Sequence, residues 1–264
     1  MNLICVGEMV IDFLPGEGEG VYIRKAGGAP ANVAVAAARN GLKAGFCGRV
    51  GNDDFGRFLF KTLESNDVTV CCPTLVDEAI TTMAFVSLDE TGDRSFTFAR
   101  KPGADMFLTR ADVDAAGVKD ADMVHAGSCS MSRDPAADAT VYAMQVAKDN
   151  GKLVSFDVNY RNLMWKDDRD ACSKAVQDIL PIVDLLKISE EEFHKIRGDK
   201  IAMIFQDPLS SLNPIVKIGK QVTEAMLLKN KASRRDARNE FNTMMKRLLT
   251  HMIAANQGNE QRVK

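Results

Sequence analysis

One tryptophan, three tyrosines and three histidines are all that 264 residues hold of those types. With histidine only at 125, 194 and 251, and no Cys-x-x-Cys pair among six scattered cysteines, no cluster has the spacing of a zinc site. The cysteines therefore read as reduced, buried thiols of a cytoplasmic protein. No apolar run is long enough to span a bilayer. The N-terminal MNLICVGEMVIDFL lacks a basic leader and is cut by Glu8 and Asp12, so it reads neither as a signal peptide nor as a membrane span. Charge of one sign is not in excess either. The formal net charge is -2, and the overall balance gives no reason to expect nucleic acid as a partner. What is left is ordinary globular composition, 45% hydrophobic and 27% charged, enough for one large core or two smaller ones.

The charges that are present are unevenly placed. Residues 201–264 carry 11 Lys+Arg against 5 Asp+Glu, while the rest of the chain holds 23 against 31. That asymmetry suits two functional regions or two origins, and equally a basic helical layer on one fold. The secondary-structure rhythm changes at the same place. Over residues 1–198 strands are expected at 3–6, 45–50, 122–125, 153–157 and 184–188. Helices are expected at 31–40, 55–66, 134–150 and 168–180. Such alternation predicts an α/β fold with a mostly parallel sheet between helices. Two segments, about 11–25 and 82–100, break the rhythm, and the second alternates like a hairpin turning near 89–92; they predict a small antiparallel β flap. After residue 200 a strand at 201–205 gives way to a mostly helical stretch. Ser233 and Asp236 are spaced as a capping box, and Phe241, Met244, Met245, Leu248, Leu249, Met252 and Ile253 form one apolar stripe suited to packing.

The richest segment for chemistry is 26–56, AGGAPANVAVAAARNGLKAGFCGRVGNDDFG. Gly27 and Gly28 let backbone approach a ligand, and Asn32 opens a helix of small residues, placing an amide and backbone N–H groups together as a hydroxyl-rich ligand requires. A plain Gly-Gly turn ahead of a helix explains the same residues. Likewise Asp12 suits a turn, Arg161 a surface ion pair and Phe98 the flap's own core.

This segment resembles the first signature of the ribokinase-like (phosphofructokinase B type) carbohydrate kinases. The likeness continues through VGEMVIDFLP at the start, RSFTFARKPGADMFL at 94–108, HAGSCSM at 125–131, FDVNYRNLMW at 156–165 and KISEEEF at 187–193. Within the family it is most like fructokinases, with 2-keto-3-deoxygluconate kinases close enough to leave the sugar open. The resemblance implies a three-layer αβα sheet and ATP- and Mg2+-dependent phosphorylation of a small sugar. It makes Asp12, Gly27, Gly28 and Asn32 sugar-binding, places Phe98 and Arg100 where the flap closes, and sets Asn159 and Arg161 beyond a strand's C-terminal end. Ser189 stands where the family usually has Asn, and Glu192 becomes an indirect magnesium ligand. Two copies would associate through the flap.

The family's catalytic base lies in a Gly-Ala-Gly-Asp motif, and nothing between 199 and 264 resembles it; the only glycines there are Gly219 and Gly258. Instead IAMIFQDPLSSLNPIVKIGKQV at 201–222 resembles the Q-loop region of oligopeptide-type ABC transporter ATPases, with Gln206 as the loop glutamine. The GxxxxGK[ST] phosphate loop such ATPases need is missing, so Gln206 receives no role. The expectation is a truncated kinase domain over 1–198, with the C-terminal part of its fold replaced by an ATPase-like fragment over 199–264. The join falls within 194–200. No catalytic residue is assigned. Three readings stand: a sugar kinase by descent without its base and nucleotide half, a non-catalytic sugar-binding module, and a fusion remnant without a selected role.

Overall fold

Short buried apolar runs alternate with helices rich in small residues, and that alternation sets the architecture. The computed structural model describes residues 1–18, 20–88 and 94–189. The expectations for Glu192, Gln206 and the other residues from 190 onward lie outside them. In chain order the elements are β1 (Leu3–Val6), β2 (Val10–Pro15), β3 (Tyr22–Gly27), α1 (Ala29–Arg39), β4 (Ala44–Cys47), α2 (Asp54–Glu64) and β5 (Thr69–Val70). Then follow β6 (Met83–Leu88), β7 (Arg94–Ala99), α3 (Arg110–Ala115), β8 (Met123–Gly127), α4 (Ala136–Asp149), β9 (Leu153–Asp157), α5 (Arg169–Ile179) and β10 (Leu185–Lys187).

Six strands form one parallel sheet in the order β10-β9-β8-β1-β4-β5. β1 is central: Leu3 pairs with Ala44 on one side and Met123 on the other, and Val6 with Cys47 and Ala126. Helices cover both faces. On one, Ala139, Ala143 and Met144 of α4 and Val176 of α5 pack with Ile4, Val124, Val154 and Phe156. On the other, Ala31 and Ala34 of α1 and Leu59 and Leu63 of α2 pack with Leu3, Cys5 and Phe46. Burial on both faces is why these strands read as continuous apolar runs. The expected three-layer arrangement is therefore present over the described residues, and none of their helices is long and apolar enough to cross a membrane.

The second sheet has the order β3-β2-β6-β7. Its two hairpins are antiparallel, with β6 and β7 in register from Met83↔Ala99 to Leu88↔Arg94. The flap is not antiparallel throughout, as the sequence suggested: β2 and β6 run parallel. The hairpins come from segments separated by α1, β4, α2 and β5, and a long crossover permits parallel pairing. One flap face is held by rings. Phe13 stacks on Phe85 with centroids 4.9 Å apart and meets Phe55 of α2 edge-on at 5.8 Å, while the Arg24 guanidinium lies 3.9 Å from the centre of Phe58.

Boundaries differ from expectation in small ways. α1 begins at Ala29, with Pro30 in its first turn where a missing N–H costs nothing, so Asn32 lies inside the helix and donates its own N–H to Gly28 O. β4 stops at Cys47, where the chain passes against the Gly7 carbonyl and a Cβ on Gly48 would have no room. α3 and β5 were not expected.

Candidate functional site

In a parallel sheet the carboxyl ends of the strands lie side by side, and a crevice opens where neighbouring connections leave in opposite directions. β1, flanked by β4 and β8, is that point. Glu8 just past β1, Cys129 past β8, Asn159 and Arg161 past β9, and Asp157 and Lys187 at the last positions of β9 and β10 line one cleft of about 470 Å³. The first turn of α1 supplies Gly28, Ala29 and Asn32. Strand alternation turns Asp12 and Leu14 of β2, Ala84 and Val86 of β6, and Phe96 and Phe98 of β7 toward the same space.

Six of the residues singled out in the sequence thus line a single cleft: Asp12, Gly28, Asn32, Phe98, Asn159 and Arg161. Gly27 acts on it indirectly, because a Cβ there would fall on the Asp12 carboxylate. Gly28 has a φ of 109°, and a side chain would meet Glu8 O at 2.5 Å and Met9 Cα at 2.9 Å. Asn159 takes a φ of 34°, a left-handed conformation that asparagine tolerates better than most residues. Arg100 is placed differently from expectation. Its Nε and Nη2 donate to Asp105 Oδ2 at 2.9 and 2.6 Å, its Nη1 to Ser132 Oγ at 3.3 Å, and it does not line this cleft.

Several charged side chains are matched: Arg49 grips Asp112 and Arg100 grips Asp105 away from the cleft, and Lys187 Nζ donates to Asp157 Oδ2 at 2.6 Å within it. The other polar groups of the cleft differ. Among the described residues the Asp12 carboxylate and the side-chain amides of Asn32 and Asn159 make no hydrogen bond, and the Arg161 guanidinium donates only to the carbonyl of its neighbour Tyr160, at 3.1 Å. Burial raises the Asp12 pKa, with the Arg161 charge opposing it. A carboxylate, two amides and a guanidinium facing one space with donors and acceptors unspent form a set that pairs with several hydroxyl groups at once.

Glu8, Asp157 and Lys187 were missed by the sequence reading. Glu8 is buried, its Oε2 finds no partner, and burial pushes its pKa up to about 7; its own and the Ala29 backbone amides and Arg100 pull the other way, while Asp105 adds to the rise. The available signal was position: each of the three sits at or just beyond the end of a strand of the parallel sheet. His125, two residues before the end of β8, hydrogen-bonds Ser155 Oγ at 3.0 Å, and burial, helped by the Lys187 charge, depresses its pKa to about 4.

Comparison with known proteins shows the family. The profile of the pfkB family carbohydrate kinases matches residues 1–229. The chain is 41% identical over 195 residues to a fructokinase of Klebsiella pneumoniae, covering 73% of this chain and 62% of that one. It is 39% identical over 203 residues to fructokinase-1 of Oryza sativa subsp. japonica, covering 74% and 62%. A crystal structure of fructokinase with bound ATP from Xylella fastidiosa superimposes with a TM-score of 0.67 at 37% identity, covering 73% of this chain and 59% of that one. The chain spans 59% to 63% of the length of the curated relatives it matches.

Proposed function

The chain belongs to the pfkB family of carbohydrate kinases, with their ribokinase-like fold, and we propose that its cleft holds the acceptor sugar of a fructokinase-like reaction, fructose or a related ketose or keto sugar acid. The observation that carries this reading is the unspent hydrogen-bonding capacity of Asp12, Asn32, Asn159 and Arg161 around one cleft. In the proposal the Asp12 carboxylate accepts from sugar hydroxyls, and the Asn32 and Asn159 amides both donate and accept. Arg161 holds a ring oxygen, a hydroxyl or an acid group. Phe98, Val86 and Leu14 lie over the apolar face of the sugar and exclude water, which strengthens each polar contact.

The relatives' chemistry implies ATP and magnesium, and ATP when bound supplies the phosphoryl group. Among the described residues no three His, Cys, Asp or Glu side chains come together as a metal set. Glu192, which the resemblance makes an indirect magnesium ligand, lies beyond them. We propose further that residues 1–264 hold the sugar without supplying the catalytic base, since no Gly-Ala-Gly-Asp motif occurs among them. Residues 201–264 are, in this proposal, an ATPase-like fragment joined to the kinase segment. Association of two copies through the flap belongs to the same proposal.

Isothermal calorimetry with fructose tests the cleft. Heat of binding is expected at millimolar sugar or below, and Asp12→Ala removes it. A folded wild-type chain that gives no heat with fructose or with 2-keto-3-deoxygluconate would sink the reading. A coupled assay with ATP, magnesium and fructose tests the second point, where turnover at the rate of an ordinary kinase, about 1–100 per second, refutes it.

A further inference from the structure

A second cleft, about 880 Å³ in volume, adjoins the first and shares Phe96, Phe98 and Met164 with it. Its remaining walls come from residues 100–102 after β7, the 3-10 turn Ala104–Phe107, residues 132–135 and residues 163–166. The chemistry of those walls differs from that of the sugar cleft. Lys101, Arg133 and Lys166 are exposed, and none of their side chains makes a hydrogen bond or ion pair among the described residues. Asp134 is the one acidic residue in the lining, and its Oδ1 already accepts the Asp138 amide at 3.2 Å. Arg100 also reaches this lining, but its charge is cancelled by Asp105. Three free cations against one acid leave a surplus of two positive charges.

Beside these charges lies apolar surface left open to water. Leu163 is 44% exposed, Phe107 half-buried, and Trp165 contributes its ring. Trp165 itself is 9% exposed, and its buried indole N–H finds no acceptor. Bare aromatic and aliphatic surface next to unpaired cations suits a ligand with an apolar body and a doubly negative head.

We propose that this cleft binds an organic phosphate, its dianionic group held by Lys101, Arg133 and Lys166 and its apolar body against Phe107, Leu163 and Trp165. The site is separate from the sugar cleft and does not depend on the assignment of that cleft. Because the cations are exposed, the attraction is screened and binding weakens with added salt.

The chain has a single tryptophan, so Trp165 fluorescence reports on this cleft directly. Phenyl phosphate titrated into the full chain is expected to change the emission saturably. Its Kd should lie at least tenfold below those of phenol and of inorganic phosphate, showing that both body and head are used. The triple variant Lys101→Ala/Arg133→Ala/Lys166→Ala should weaken it at least tenfold, while Arg161→Ala in the sugar cleft leaves it within twofold. Single variants Arg133→Gln and Lys166→Gln, each expected to weaken binding two- to fivefold, carry the test should the triple variant lose its fold. Phenyl phosphate binding no tighter than phenol or inorganic phosphate overturns the site. So does affinity unchanged by the lysine and arginine variants, or affinity lost in Arg161→Ala instead.

Discussion

Glu8 holds a carboxyl where its charge has little to meet. Its pKa of about 7, against an ordinary 4.5, comes chiefly from burial and is raised further by Asp105. Below pH 4.5 the group is protonated whether the chain is folded or not. Between 4.5 and 7 only the folded protein keeps the proton, so stability falls as pH rises, by about 1.4 kcal/mol per unit, and levels off above 7. Glu8→Gln keeps the shape and removes the titration. Its stability relative to wild type should improve by roughly 3 kcal/mol between pH 5 and pH 8, which urea denaturation at the two values checks. Asp53 behaves in the opposite sense. Burial works against its charge, but the Thr81 amide and hydroxyl and the Gly56 amide hold its pKa below the ordinary range. The stability it contributes is present above the ordinary aspartate pKa and is lost as pH falls through its depressed folded value. Asp53→Asn should therefore flatten the acid limb of the stability curve.

Elements are held by a few such contacts, and two can be tested. The Arg100–Asp105 pair ties the end of β7 to the turn Ala104–Phe107, with its side chains only 9% and 1% exposed. Arg100→Ala leaves the buried Asp105 carboxylate without its cation, with the Thr82 hydroxyl still donating to it, and should cost about 3–5 kcal/mol in denaturant unfolding. Thr109 caps α3 in a reciprocal box with Asp112, whose side chain takes the Thr109 amide at 2.9 Å. Thr109→Ala should cost about 1 kcal/mol by the same measurement. That cap was written in the sequence, yet α3 went unseen because six residues with only Val113 buried show no apolar period. β1 and β9 were legible because nearly every residue in them is buried. The parallel join of β2 to β6 was not, since nothing local in either hairpin sets which edge meets which. At the site, spacing and resemblance pointed to Asp12, Gly28, Asn32, Phe98, Asn159 and Arg161, and the flap strands, the start of α1 and the end of β9 bring these six to one cleft. Arg100 could not be placed from sequence because its partner is a buried acid five residues on. Glu8 was read only as a break in an apolar run, although position past β1 is what sets it at the cleft.

For the molecule as a whole, occupancy of the sugar cleft should appear as stability. A ligand that binds only the folded chain adds about 2.7 kcal/mol at a hundred times its Kd. Fructose at that excess should raise the thermal midpoint of the wild-type chain and leave that of Asp12→Ala unchanged, as differential scanning fluorimetry will show. The partition between the two clefts carries a further consequence. Phe96, Phe98 and Met164 line both spaces, so guests in the two clefts would touch the same side chains. Whatever factor a phosphate ester applies to fructose affinity, fructose must return in full to the ester. Two neighbours divided by so thin a screen answer to each other, and the sign of that answer is set by which way the rings lean.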